Sequence, residues 1–250
     1  MSQTTDGAEV TTAGRSASVA DTLREKIAEG VLRPGTPLRD SVMAAELGVA
    51  RNTLREALRI LYDEGLVVQR LHKGTAVKTL AADDVKDIYL TRRTLELAAA
   101  EHGPLVAEPL LDDLDEKVAA AEHAVATGAW NEVGTASLRF HQALVALLGS
   151  ARMNAFFRVT VAQLRLAFAV MDDEAEFQAP WVSRDREICD LLRGGRSMDA
   201  KAALRLYLDD SECLVLDAVR ADGTARRRAA SSVPVPPAPY RVKDRAKGAR

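Results

Sequence analysis

Three arginines, Arg51, Arg55 and Arg59, recur four residues apart in a stretch that also holds Asn52 and Thr53. On an α-helix this spacing sets the guanidinium groups along one face. Arg can make paired hydrogen bonds to guanine and Asn to adenine, so the cluster is equipped to read base edges in the major groove of duplex DNA. The reading end is the amino-terminal one: Arg51, Asn52, Thr53 and Arg55. Downstream, His72, Lys73 and Gly74 form a short tip where a cation meets a residue with no side chain, which lets backbone approach phosphate or the minor groove. A merely solvated, charged helix face is the alternative, and the surrounding elements decide between the two.

Those elements follow from apolar spacing. Val19, Leu23, Ile27 and Val31 recur every four residues, which predicts a helix from near Ser18 that stops before Pro34 and Gly35. Asp40 is a suitable N-cap for a second, short helix through Val42, Met43 and Leu47 to Gly48. A third opens near Ala50, carries Leu54, Ala57, Leu58 and Leu61 opposite the arginines, and ends at Gly65. Residues 66–70 and 75–78 are β-prone stretches around a four-residue loop, a hairpin or wing. Three short helices and a wing make a winged helix-turn-helix over residues 16–79, and that context favours the DNA-reading interpretation.

Beyond a hinge at 80–84, Asp83 and Asp84 are placed to start a new helix. Residues 84–222 then show helical periods over 84–102, 105–127, 129–149, 152–172, 180–194 and 198–220, an antiparallel bundle of six or seven helices. The fold class is mostly α, in keeping with 47% hydrophobic but only 4% aromatic residues. Residues 1–15, rich in Thr, Ser, Ala and Gly, read as an unstructured leader, and 223–250, Pro-rich and basic, as a disordered tail. The net charge of -2 conceals segregation: by count, about +3 on residues 15–78, about -10 on 83–222 and about +7 on the tail. Cys189 and Cys213 lie far apart without metal-type spacing and read as two buried thiols. No apolar run is long enough to span a bilayer, so a cytoplasmic protein with no membrane partner is expected.

Residues 34–40 (PGTPLRD), 44–58 (AAELGVARNTLREAL), 64–67 (EGLV) and 72–75 (HKGT) closely resemble the DNA-binding domain of the GntR family. The resemblance implies that Arg51 and Arg55 contact operator DNA and that Gly74 belongs to the wing; Arg39 lies in a matching stretch and joins the DNA-facing set. Ala50 departs from the family's usual Ser or Thr, which removes a helix cap worth on the order of 1 kcal/mol.

Residues 84–96 (DVKDIYLTRRTLE) and Phe140-His141 resemble the helical ligand-binding domain of the FadR subfamily. Many of its members hold a divalent metal through an Asp, a His four residues later and two further His. His141 matches the second ligand, whereas Ser137, Asp185 and Tyr207 stand at the other three positions. One imidazole, one carboxylate and a phenol make a poor zinc site. No cofactor is therefore expected, and Ser137, His141, Asp185 and Tyr207 become hydrogen-bonding groups of a metal-free pocket between helices. Arg92 and Arg165 are candidates to pair with an effector carboxylate, against a structural ion pair such as Arg92 with Glu96.

The resemblance thus implies a transcriptional regulator, expected to be a repressor, that binds a palindromic operator as a homodimer and responds to a small molecule. A constitutive DNA-binding protein with a decayed pocket is the alternative. A metal-dependent enzyme with an accessory DNA domain is a weaker one, because no nucleophile motif, phosphate loop or paired-carboxylate set is present and three metal ligands are missing.

Overall fold

The computed structural model describes residues 6–71, 74–102, 107–169, 171 and 174–231. Helix α1 (Asp6–Ala28) starts much earlier than its apolar stripe, so the segment expected to be an unstructured leader is helical from Asp6. The stretch has no Pro to break a helix, and its two glycines, Gly7 and Gly14, cost about 1 kcal/mol each without ending it. Val19, Leu23 and Ile27 are buried, but Val31 is exposed, because the helix ends at Ala28 and Gly30 turns the chain with φ of 76°.

Strand β1 (Pro37–Leu38) comes before α2 (Asp40–Glu46) and α3 (Arg51–Asp63). The wing is β2 (Val67–Arg70) and β3 (Gly74–Val77), paired antiparallel with Val67 opposite Val77 and Arg70 opposite Gly74. β1 adds to the other edge of β3, giving the order β1-β3-β2, a third strand that the alternation pattern does not predict. Asp40 is the first residue inside α2 rather than its cap; Arg39 occupies the cap position. Ala50 caps α3 with no side-chain hydrogen bond, as its lack of a hydroxyl dictates.

The second half is α4 (Ala82–His102), α5 (Glu108–Thr127), α6 (Trp130–Ala146), α7 (Ala151–Phe168), α8 (Glu174–Arg193) and α9 (Ser197–Ser231). Two boundaries differ from the sequence reading by more than four residues. α8 begins six residues before Pro180, the expected first residue, and carries that proline inside. α9 runs to Ser231, so the first part of the expected disordered tail is helical, while 232–250 lie outside the described residues. α4 and α9 run antiparallel, stapled by Arg93 to Asp209 (2.7 Å) and Glu212 (2.6 Å) and by Lys201 to Glu101. Cys189 is buried but Cys213 is exposed on α9, a correction to the expectation of two buried thiols.

The two halves share one apolar core, continuous from Leu23 and Leu61 through Leu80 and Val85 to Phe140 and Leu208. The linker is pinned as well: Asp84 accepts from the Ala81 amide (2.8 Å) and from Lys78 Nζ (2.7 Å). α1 docks on the bundle. Thr135 of α6 donates to the Ala28 carbonyl (3.4 Å), Arg139 reaches Glu25 (3.1 Å), and Gln163 of α7 donates to the Glu64 carbonyl (2.7 Å).

Candidate functional site

The apolar face of α3 fixes which side chains remain for DNA. Leu54, Ala57, Leu58 and Leu61 pack into the core, so Arg51, Asn52, Arg55 and Arg59 emerge on the opposite face. Thr53 does not join them: it is 7% exposed and sits on the packed side, because it is one residue from Leu54 and four from Ala57. Arg55 Nε donates to Asp40 Oδ2 (3.0 Å), an exposed pair that ties the first turn of α2 to α3. Such a pair contributes little, roughly 0–1 kcal/mol, and yields readily to a phosphate or base partner. Arg39, at the α2 cap, is exposed beside it. Gly74 opens β3 with φ of 75° and nothing near its Cα, as a wing tip requires. His72 and Lys73 lie outside the described residues.

The second site is a buried polar cluster inside the bundle. α6 presents Ser137 and His141 one turn apart, α8 presents Asp185, α9 Tyr207, and α4 Arg92 and Glu96 one turn apart; all six are buried. Ser137 Oγ donates to Asp185 Oδ2 (2.7 Å) and lies 3.5 Å from the Tyr207 hydroxyl. Arg92 Nε donates to Glu96 Oε1 (2.6 Å), and the other Glu96 oxygen meets His141 Nδ1 (2.7 Å). Burial alone would push the Glu96 carboxyl up, but Arg92 and His141 against it outweigh burial and hold it below the usual carboxylate range. Ionised Glu96 can only accept, so His141 donates from Nδ1 and turns Nε2 toward Asp185.

His141 Nε2 stands 3.6 Å from Asp185 Oδ1, and neither atom has another hydrogen-bond partner. Burial pushes the Asp185 carboxyl up to about 6. Burial likewise raises the Tyr207 phenol well above its ordinary range, so it stays protonated. A divalent metal at this place would find one imidazole nitrogen, one carboxylate, a hydroxyl and a protonated phenol. That donor set does not fit zinc, and no group of three or more His, Cys, Asp or Glu is placed to hold an ion among the described residues.

Arg92 therefore belongs to the cluster, but its charge is met by Glu96, the ion-pair alternative. Its guanidinium also lies over the rings of Tyr89 (5.0 Å) and Tyr207 (6.0 Å). Arg165 does not reach the cluster. It packs against Gly30, where an added Cβ would stand 2.5 Å from its Nη2, and so joins α7 to the end of α1. Sequence reasoning missed the Tyr89 hydroxyl on Ser211 (2.7 Å), Gln178, and Trp181 against Tyr207 (4.8 Å between centroids). A signal existed on α4: Tyr89, Arg92 and Glu96 share the face of Val85 and Ile88, an apolar stripe interrupted by polar groups.

The cavity enclosed by the cluster has a free volume of about 10 Å³, room for roughly one water. No helix among the described residues is long and apolar enough to cross a membrane.

Comparison with known proteins agrees with both halves. The model of bacterial regulatory proteins of the gntR family matches residues 15–77, and the FCD domain matches residues 87–210. A Paenarthrobacter nicotinovorans protein named "Probable D-xylose utilization operon transcriptional repressor" is 31% identical over 74% of this chain and 82% of its own length. An uncharacterised HTH-type transcriptional regulator of Bacillus subtilis is 32% identical, the match covering 49% of this chain and 56% of that protein. The crystal structure of a GntR-type transcriptional regulator from Rhodococcus sp. RHA1 superposes with a TM-score of 0.76 at 37% identity, over 82% of this chain and 99% of that one. With an arginine-bearing α3, a wing and a helical bundle in place, the chain belongs to the GntR family of transcriptional regulators, its second half an FCD domain.

Proposed function

We propose that this regulator represses transcription as a cytoplasmic homodimer, placing two α3 helices in successive major grooves of a palindromic operator and releasing or tightening that grip when a small molecule enters the bundle. One observation carries the reading: Arg51, Asn52 and Arg55 are exposed together at the start of α3 while its opposite face is locked in the core. Arg51 and Asn52 would supply base contacts. Arg55 would exchange Asp40 for DNA, and Arg39 and the wing would meet the backbone.

The layout of α6 supports the sensing half. Ser137 and His141 face the cavity, whereas Thr135 and Arg139 of the same helix hold Ala28 and Glu25 of α1. A ligand that shifts α6 would shift the platform of the DNA-binding domain, provided it binds the two arrangements unequally. The donor set supports a metal-free pocket. The small free volume favours a second reading, a constitutive DNA-binding protein whose pocket no longer opens. A metabolite panel in thermal denaturation decides between them, since a sensor is stabilised by some ligand and a decayed pocket by none.

Selection of binding sites from random DNA with the full chain tests the operator claim. The expected product is a two-fold-symmetric sequence with half-sites about 10 base pairs apart, centre to centre, or a multiple of that. Enrichment of an asymmetric single site, or of nothing, contradicts it.

A further inference from the structure

The cavity wall and the side chain behind it hold four buried polar atoms without a hydrogen-bond partner. Arg92 Nη2 and Gln178 Nε2 on the wall are donors, His141 Nε2 is a ring nitrogen on the wall, and Asp185 Oδ1, 3.6 Å behind it, is an acceptor. Most of the rest of the wall is aromatic, with Ser137, Leu138 and Ser211 beside it. Tyr89, Phe168, Phe177, Trp181 and Tyr207 line it, in a chain with only two Trp, four Tyr and five Phe. Phe168, Phe177, Trp181 and Tyr207 form a continuous belt with centroids 5.3, 6.4 and 4.8 Å apart.

Charge narrows the occupant. Arg92 is matched by Glu96 at 2.6 Å, and Arg184, which lies over the Trp181 and Tyr207 rings, is matched by Asp210 at 2.8 Å. Among the described residues no unmatched Arg or Lys lines the cavity, so a carboxylate would find no free guanidinium or ammonium there. A purely apolar molecule would leave four buried polar atoms unsatisfied. A hydroxyl both gives and accepts, so several hydroxyls on one ring can meet such a mixed set at once.

We propose that this cavity is the closed form of a binding site for a neutral, ring-shaped polyol, a free sugar of pyranose size, whose hydroxyls meet Arg92, Gln178 and His141, the last positioned by Asp185 behind it, while its C–H face lies on the Trp181–Tyr207 rings. The proposal rests on the effector-binding reading above. The first turns of α8 are the wall that moves. They carry Phe177, Gln178 and Trp181, and Pro180 among them has no N–H to bond the carbonyl one turn back. Gln178 packs on Gly134 of α6, where an added Cβ would stand 2.7 Å from its Nε2. Lifting these turns would open the belt and free Gln178 for the ligand.

Thermal denaturation of the full chain tests this, with D-xylose and D-glucose as probes beside D-gluconate, L-lactate, phenol and zinc chloride. At a hundredfold excess over its Kd a pyranose raises Tm by about 5–10 °C. Asp185→Asn, measured against its own Tm, weakens that sugar tenfold or more, because the Asn amide fills the gap to His141. Gly134→Ala, which removes no ligand-contacting side chain but disfavours the closed packing of Gln178, tightens it. A shift from gluconate, lactate, phenol or zinc that Asp185→Asn abolishes, with none from the sugars, overturns the sugar class and leaves the effector reading standing. No shift from any probe overturns both. A sugar shift unchanged by both variants places the ligand elsewhere and overturns this site.

Discussion

Replacing Asp185 by Asn should make the protein more stable at neutral pH and remove a specific part of its pH dependence. The carboxyl is fully buried, its one satisfied oxygen takes the Ser137 hydroxyl at 2.7 Å, and burial lifts it from 3.8 to about 6. The folded protein thus holds this proton more tightly than the unfolded chain does. Its stabilisation is complete below about pH 4 and is lost as pH rises through about 6. The loss amounts to about 3 kcal/mol by pH 7. Asn keeps the acceptor for Ser137, offers an N–H toward His141 Nε2 and carries no charge. Urea unfolding of both proteins between about pH 4 and pH 7.5 gives the difference curve. The variant should gain on the parent steadily across that range and exceed it by up to about 3 kcal/mol at pH 7, a Tm difference of about 6–12 °C. Parallel curves, or a variant that is the less stable one at pH 7, would refute the placement of an uncompensated carboxyl beside His141.

Glu96→Gln leaves Arg92 buried without its counter-charge and should cost about 3–5 kcal/mol, read from the urea midpoint. Gly30→Ala meets both a φ of 76° and the Arg165 guanidinium, and should cost about 1–3 kcal/mol, with faster amide exchange where α1 meets α7. Ala50→Ser supplies the cap that α3 lacks and should add about 1 kcal/mol, measured the same way.

The DNA-reading half was legible because its signals are local. The four-residue repeat of Arg51, Arg55 and Arg59 and the Leu54–Leu61 stripe are one helix seen from two sides, and Gly48 and Gly65 take the positive φ values, 63° and 66°, that end the helices before and after it. Thr53 was misplaced because a single step around the helix separates the reading face from the packed one. β1 left no trace, since two residues carry no alternation, and its pairing with β3 is a long-range event. The bundle's helices were legible to within a few residues except at α8, where Pro180 reads as a helix start and is in fact interior, and at α9, which continues to Ser231 past its expected end at 220. Arg165 looked like a ligand-binding cation because its composition says nothing of Gly30, more than a hundred residues away, which makes room for it. The aromatic wall was hidden for the same reason: its rings come from α4, α7, α8 and α9, and only the packing gathers them.

The central claim is that α3 reads the operator. Fluorescence anisotropy with the selected operator and a scrambled duplex of equal length, at matched salt, tests it most directly for Arg51→Ala and Arg55→Ala. Each variant should lose about 1–3 kcal/mol of operator binding and much of its preference over the scrambled duplex, while its helical circular dichroism matches the parent. Parent-like operator affinity and preference in both variants would contradict the account.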